Sequence, residues 1–124
     1  MNSNYSMQGF DLKLLKGVIE LRAQGNRKAG TEHGPARAFA SIAATIDSKL
    51  ILYDVRDANY QLSELQMEER ARFIARLFNG YRIAYVLRVE QLEFGRLICR
   101  AHHRNGDQAK TFSSKSAATG WLTG

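Results

Sequence analysis

Apolar and polar positions alternate and cluster along the chain in a way that marks out its elements. Ile19, Leu21 and Ala23 fall on one side of a period-two run, with Glu20 and Arg22 on the other, which predicts a strand over 18–23. A second β-like run over 10–15 precedes it, and Lys16-Gly17 between them predicts a tight hairpin, since glycine reaches positive φ at little cost. Gly25–Gly34, rich in glycine and charge, reads as a loop. Behind Pro35, which suits the first turn of a helix, Phe39, Ile42, Ala43 and Ile46 repeat at helical spacing up to Asp47-Ser48. Lys49–Val55 (KLILYDV) is a compact apolar run of the kind that forms a strand covered on both faces.

The second half continues the alternation of strand and helix. Ser63-Glu64-Leu65-Gln66 has the spacing of a capping box, and Met67, Ala71, Ile74 and Phe78 form one face of the helix it opens, which Asn79-Gly80 ends. Tyr81–Val89 predicts another strand. Leu92–Arg104 predicts a helix with Phe94, Leu97, Ile98 and Ala101 inward, closed by Asn105-Gly106. Lys110–Phe112 predicts a short strand, and Ser113 or Ser114 caps a last helix in which Ala118, Trp121 and Leu122 share a face. The order ββαβαβαβα implies right-handed crossovers and an α/β fold: a mixed, mostly parallel sheet of about five strands with four helices. Residues 1–9 read as a flexible polar leader and residues 10–124 as a single domain.

Composition narrows the class. A chain of 124 residues has room for one core, and 44% hydrophobic with 24% charged residues is ordinary globular usage, which excludes disorder and collagen-like repeats. No apolar run reaches the roughly 18 residues of a membrane span. The single cysteine, Cys99, rules out an internal disulfide and fits a cytoplasmic protein. Charge is lopsided: of a net +6, residues 70–124 carry 10 basic and 3 acidic side chains. Arg96, Arg100 and Arg104 recur along one face of the predicted third helix, and Arg72 and Arg76 on the second, although Glu68 and Glu93 are spaced to pair with Arg72 and Arg96. A solvated face explains such a stripe, and a surface for an acidic protein partner is the functional alternative. Nucleic acid is the weaker reading, because exposed aromatics and a recognised reading module are missing.

Several constellations fall short of chemistry. Gly25–Gly30 has the glycine spacing of a phosphate loop, but Thr31-Glu32 stands where Lys and Ser/Thr belong; Arg27, Lys28 and the following helix N-terminus leave an anion site open. Cys99, His102 and His103 share one helix, too few ligands for a metal and without a group to orient a catalytic histidine. Asp54 and Asp57, with Arg56 between them, are placed at the carboxyl end of the central strand, where ligands gather in open α/β sheets. With Asn59, Tyr60 and Arg88–Gln91 they form the candidate ligand edge. Neither a metal nor another cofactor is expected.

The element order, the strands LILYDVRD and RIAYVLRVEQ each followed by a helix, and the ending AKTFSSKSAATGWL resemble the SpoIIAA-like branch of STAS domains over roughly residues 10–122. The resemblance implies a non-enzymatic regulatory or protein-interaction module, bacterial in origin, or alternatively a binder of a small apolar or acyl-type ligand. It also places Ser63 where the anti-sigma-factor antagonists carry a phosphoacceptor, but Glu64 replaces the glycine of that motif. The N-cap explains Ser63 without phosphorylation. A homodimer stays open.

Overall fold

A computed structural model describes residues 5–7, 9–28 and 33–124. Six strands form one sheet in the order β1-β2-β3-β4-β5-β6, the same as their order in the chain. They are β1 (Tyr5–Met7), β2 (Phe10–Leu15), β3 (Val18–Lys28), β4 (Leu50–Gln61), β5 (Arg82–Val86) and β6 (Ala109–Phe112). Strands β1 to β3 are antiparallel, and β3 to β6 are parallel. The crossovers carry α1 (His33–Ala44), α2 (Glu64–Leu77) and α3 (Leu92–Arg104), and α4 (Lys115–Thr123) follows β6.

A parallel run that always advances in one direction, with right-handed crossovers, must put all its helices on one face. That face holds the main core: Phe10 and Phe39 edge to face, Ile51, Tyr53, Ile83 and Tyr85 from the strands, and Ile74, Phe94 and Ile98 from the helices. The opposite face is covered over β4, β5 and β6 by α4, whose Ala118 and Leu122 pack on Val18, Leu52, Ala84 and Val86. Trp121 completes this seam, with the Arg82 guanidinium 3.8 Å from its ring centroid and donating to its carbonyl. Among the described residues no helix covers β1 and β2 on this second face.

The predicted hairpin is present, with Lys16 (φ 52°) and Gly17 (φ 80°) as a two-residue turn in which both central residues are left-handed. Ser63 caps α2 as a full capping box: its Oγ accepts from the Gln66 N–H at 3.2 Å and the Gln66 side chain accepts from the Ser63 N–H at 2.9 Å. The limits of α3 are those the periodicity predicts, and Ser114 is the cap of α4.

Three expectations are corrected. Tyr5–Met7, read as leader, pairs with β2 as a sixth strand; the rest of residues 1–4, and residue 8, lie outside the described residues. Gly25–Lys28, read as loop, continues β3 alongside an equally extended β4, with Gly25 opposite Ala58 and Lys28 opposite Gln61. Consequently Arg27 does not offer an anion site. It is buried over the Phe10 ring at 4.4 Å and donates to the Gln24 carbonyl. Residues 29–32 of the glycine-rich stretch lie outside the described residues.

Candidate functional site

The extension of β4 changes where its carboxylates stand. Asp54 and Asp57 are in mid-strand and not at a carboxyl edge. Odd spacing would send them to opposite faces, but the ladder to β3 shifts between Arg22 and Gln24, which face Asp54 and Asp57 respectively. One extra residue on β4 resets the alternation, so both carboxylates reach the second face, beside the start of α4.

There they join a groove of about 470 Å³ over β1–β4, beside the start of α4. Its charged walls neutralise one another. Arg22 bonds Asp57 at 2.5 Å, Arg56 bonds Asp54 at 2.9 Å, and Lys115 of α4 reaches Glu20 at 2.6 Å. Burial pushes the Asp54 carboxyl up, yet the Arg56 guanidinium and backbone N–H hydrogen-bonded to it hold it below the ordinary carboxylate value. Both carboxylates are thus committed as acceptors, an arrangement suited to structural pairing rather than proton transfer. The outward alternation of Glu20 and Arg22 was the signal available for this face; the reach of Lys115 from the far end of the chain had none.

The remaining members of the candidate ligand edge are scattered. Asn59 donates to Asn26 across the β3–β4 ladder at 3.1 Å. Tyr60 lies on the main-core side, stacked on Phe94 with centroids 4.8 Å apart. Beyond the carboxyl end of β5, Gln91 packs against the middle of β4: its buried Nε2 donates to the carbonyls of Val55 (2.7 Å) and Ala58 (3.0 Å), and its Oε1 accepts from the Arg88 N–H. The topology bears on the expected ligand crevice. Such crevices open where strand order reverses, and the order of β3 to β6 never reverses.

The two histidines of α3 point apart, while Cys99 and His103 border the same side of the helix. The His102 ring is sealed against the Tyr85 hydroxyl, Nε2 to Oη 2.7 Å, while the His103 Nε2 sits 2.9 Å from the Ala109 carbonyl. Burial pushes the Cys99 thiol up to about 11, far from the range of a reactive thiolate. Among the described residues no three His, Cys, Asp or Glu side chains gather as a metal site.

The arginines divide in two. Arg72, Arg100 and Arg104 border a narrow furrow between α2 and α3 whose floor is Ala71, Leu97 and Ala101. Glu68 borders it too, but the expected Glu68–Arg72 ion pair does not form; Glu93–Arg96 does, by a bidentate contact. Arg72, Arg76, Arg100 and Arg104 make no ion pair among the described residues. Arg76 lies apart, at the end of α2 near Asn79 and Asn105. Ser63 is exposed, its hydroxyl engaged in the cap.

No protein-family model matches the chain, and no curated protein does. Among solved structures it is similar to an uncharacterized protein of the DUF3478 family from Shewanella loihica PV-4, which has a SpoIIAA-like fold. The two are 16% identical, with a TM-score of 0.62 over 98% of this chain and 95% of that one. No helix among the described residues is long and apolar enough to cross a membrane. The strand and helix order, the single-faced crossovers and this likeness together establish the fold as SpoIIAA-like.

Proposed function

We propose that the chain is a non-enzymatic interaction module with a regulatory role, which docks an acidic protein partner on the outward face of α2 and α3. The observation that carries this reading is the furrow: Arg72, Arg100 and Arg104, against the one carboxylate Glu68, around a small apolar floor and without ion pairs among the described residues, which leaves a net positive lining. Charge left unneutralised on one face steers an oppositely charged partner and fixes its register. The groups that sequence reasoning singled out for chemistry are engaged otherwise: burial raises the Cys99 thiol, His102 is bonded to Tyr85, and Asp54 and Asp57 are held by arginines.

The test is affinity capture from the source cell with the native chain and with an Arg72→Glu, Arg100→Glu double variant. Loss of a partner in the variant, with unchanged thermal melting, supports the reading; identical partner sets overturn it.

A second reading rests on the groove over β1–β4. Its volume of about 470 Å³ suits a small ligand, and its lining of Asp11, Lys13, Arg22, Asp54, Arg56 and Asp57, charges of both signs, favours a polar molecule over the apolar or acyl type. Native mass spectrometry decides it: a non-covalent mass lost on denaturation supports a ligand, and the bare chain mass argues against one.

A further inference from the structure

Strand β6 is the last of the sheet among the described residues, a short edge of four residues that carries the exposed Lys110. The carbonyls of Gln108 and Phe112 accept from the Ile83 and Leu87 N–H groups. Alternate residues of a strand direct their backbone groups to opposite sides, so those of Ala109 and Thr111 face away from β5. The Ala109 carbonyl is taken by His103, and no strand among the described residues pairs with the Thr111 side. Beside this edge, between α3 and β6, runs an open groove of about 550 Å³.

The chemistry of the groove is one-sided. Leu92, more than half exposed, and Cys99 give it an apolar wall, while Arg96, Arg100 and His103 supply cationic or basic groups and no carboxylate among the described residues lines it; Lys110, whose Nζ stands over the Phe112 ring, carries its charge on the α4 face of the same edge. Arg96 is occupied by Glu93, whereas Arg100 and Lys110 make no ion pair among the described residues. A second copy of the chain is a poor occupant, because edge-to-edge pairing on β6 sets Lys110 and Arg100 against their like. An acidic strand is the complementary one.

We propose that the α3–β6 groove docks an extended acidic segment of another protein, which lies along β6 as an added strand, bonds the Thr111 backbone and sets acidic side chains against Arg100 and Lys110. Backbone pairing gives such a site affinity, and the alternate side chains give it selectivity. This site goes beyond the α2–α3 furrow, with which it shares Arg100 alone.

The probe is a capped Val-Glu-Glu-Glu-Glu-Val hexapeptide, whose successive glutamates face both sides of the sheet, titrated at millimolar concentration into the isotope-labelled protein and followed by NMR. Expected are shifts along Ala109–Phe112 and the facing turns of α3, slower exchange of the Thr111 amide, and binding that weakens with salt. Lys110→Glu weakens binding at least about threefold, as loss of an exposed ion pair plus repulsion requires. An Arg72→Glu, Arg104→Glu double variant binds the peptide unchanged, whatever becomes of the α2–α3 reading. The proposal is overturned by a silent β6, by equal binding of a Lys-Val hexapeptide, by affinity that follows the Arg72 and Arg104 variant, or by self-association through β6 in place of peptide binding.

Discussion

The Tyr85 hydroxyl and the His102 Nε2 lie 2.7 Å apart, the tyrosine on β5 and the histidine on α3, both without exposed surface. This contact ties a crossover helix to the middle of the sheet. His102 Nδ1 has no hydrogen-bond partner among the described residues, so a charged ring would be both buried and half-satisfied. Burial accordingly lowers the His102 pKa to about 4 and raises that of Tyr85 well above its ordinary value.

The consequence is a specific pH dependence of stability. The unfolded chain protonates His102 near its ordinary 6.5, the folded chain only near 4. Below 6.5 the unfolded state binds the extra proton, so stability falls as pH drops from about 6.5 to 4, by roughly 3 kcal/mol in all. Urea unfolding between pH 7 and 4 reads this slope. His102→Phe flattens that part of it while costing stability at pH 7, where the Tyr85 hydroxyl loses its partner. An unchanged slope in the variant refutes the assignment. The Asp54 contribution is separable: its lowered pKa adds stability above its ordinary value of 3.8, lost only as pH falls below that.

Gln91 supplies the second prediction. Its amide satisfies two carbonyls of β4, and burial at 7% exposure denies them water. Gln91→Ala strips these donors and lowers unfolding free energy by about 1–3 kcal/mol. Gln91→Glu is more damaging at pH 7, where a carboxylate faces carbonyl oxygens, and partly recovers at pH 4–5 when protonated. A variant insensitive to pH in this range would show that the Glu side chain escapes to solvent.

Much of the fold was legible because burial follows period. The limits of α3, the Ser63 cap and the Lys16-Gly17 turn each rest on local pattern or local hydrogen bonds. What was missed lies where the buried positions are not strongly apolar. The outer halves of β3 and β4 alternate in burial, but their inward positions are Arg27, Ala58 and Tyr60 among outward Asn26, Asp57 and Asn59, so hydrophobic alternation had little signal there. Tyr5–Met7 is three residues long, too short for a period. Of the candidate sites, the arginine face was readable from i, i+4 spacing. The groove over β1–β4 was not, because it joins residues from Tyr5 to Lys115, and its two aspartates share a face through a bulge that leaves no mark in composition.

Ser63 separates capping from signalling. Ser63→Ala removes the acceptor for the Gln66 N–H and lowers stability by about 1 kcal/mol, whereas Ser63→Asp keeps a good cap and loses little. Thermal melts of the two variants check this. Equal losses in both would show that the hydroxyl contributes nothing to the helix start.

Two helical glycines are expected to respond to alanine with opposite sign. A Cβ on Gly95 would come within 2.7 Å of Leu87 Cδ1 and 2.9 Å of Thr111 Cγ2, which places α3 against β5 and β6 at a distance only glycine allows. Leu87 is buried in the main core and cannot swing away. Alanine gains about 1 kcal/mol of helix propensity there, but overpacking costs about 1–3 kcal/mol, so Gly95→Ala is net destabilising. Gly120 in α4 is exposed, with open space around its missing side chain. Gly120→Ala therefore stabilises by up to about 1 kcal/mol. Urea midpoints of the two variants moving in the same direction would contradict the close approach of α3 to the sheet, since propensity alone treats the two helices alike.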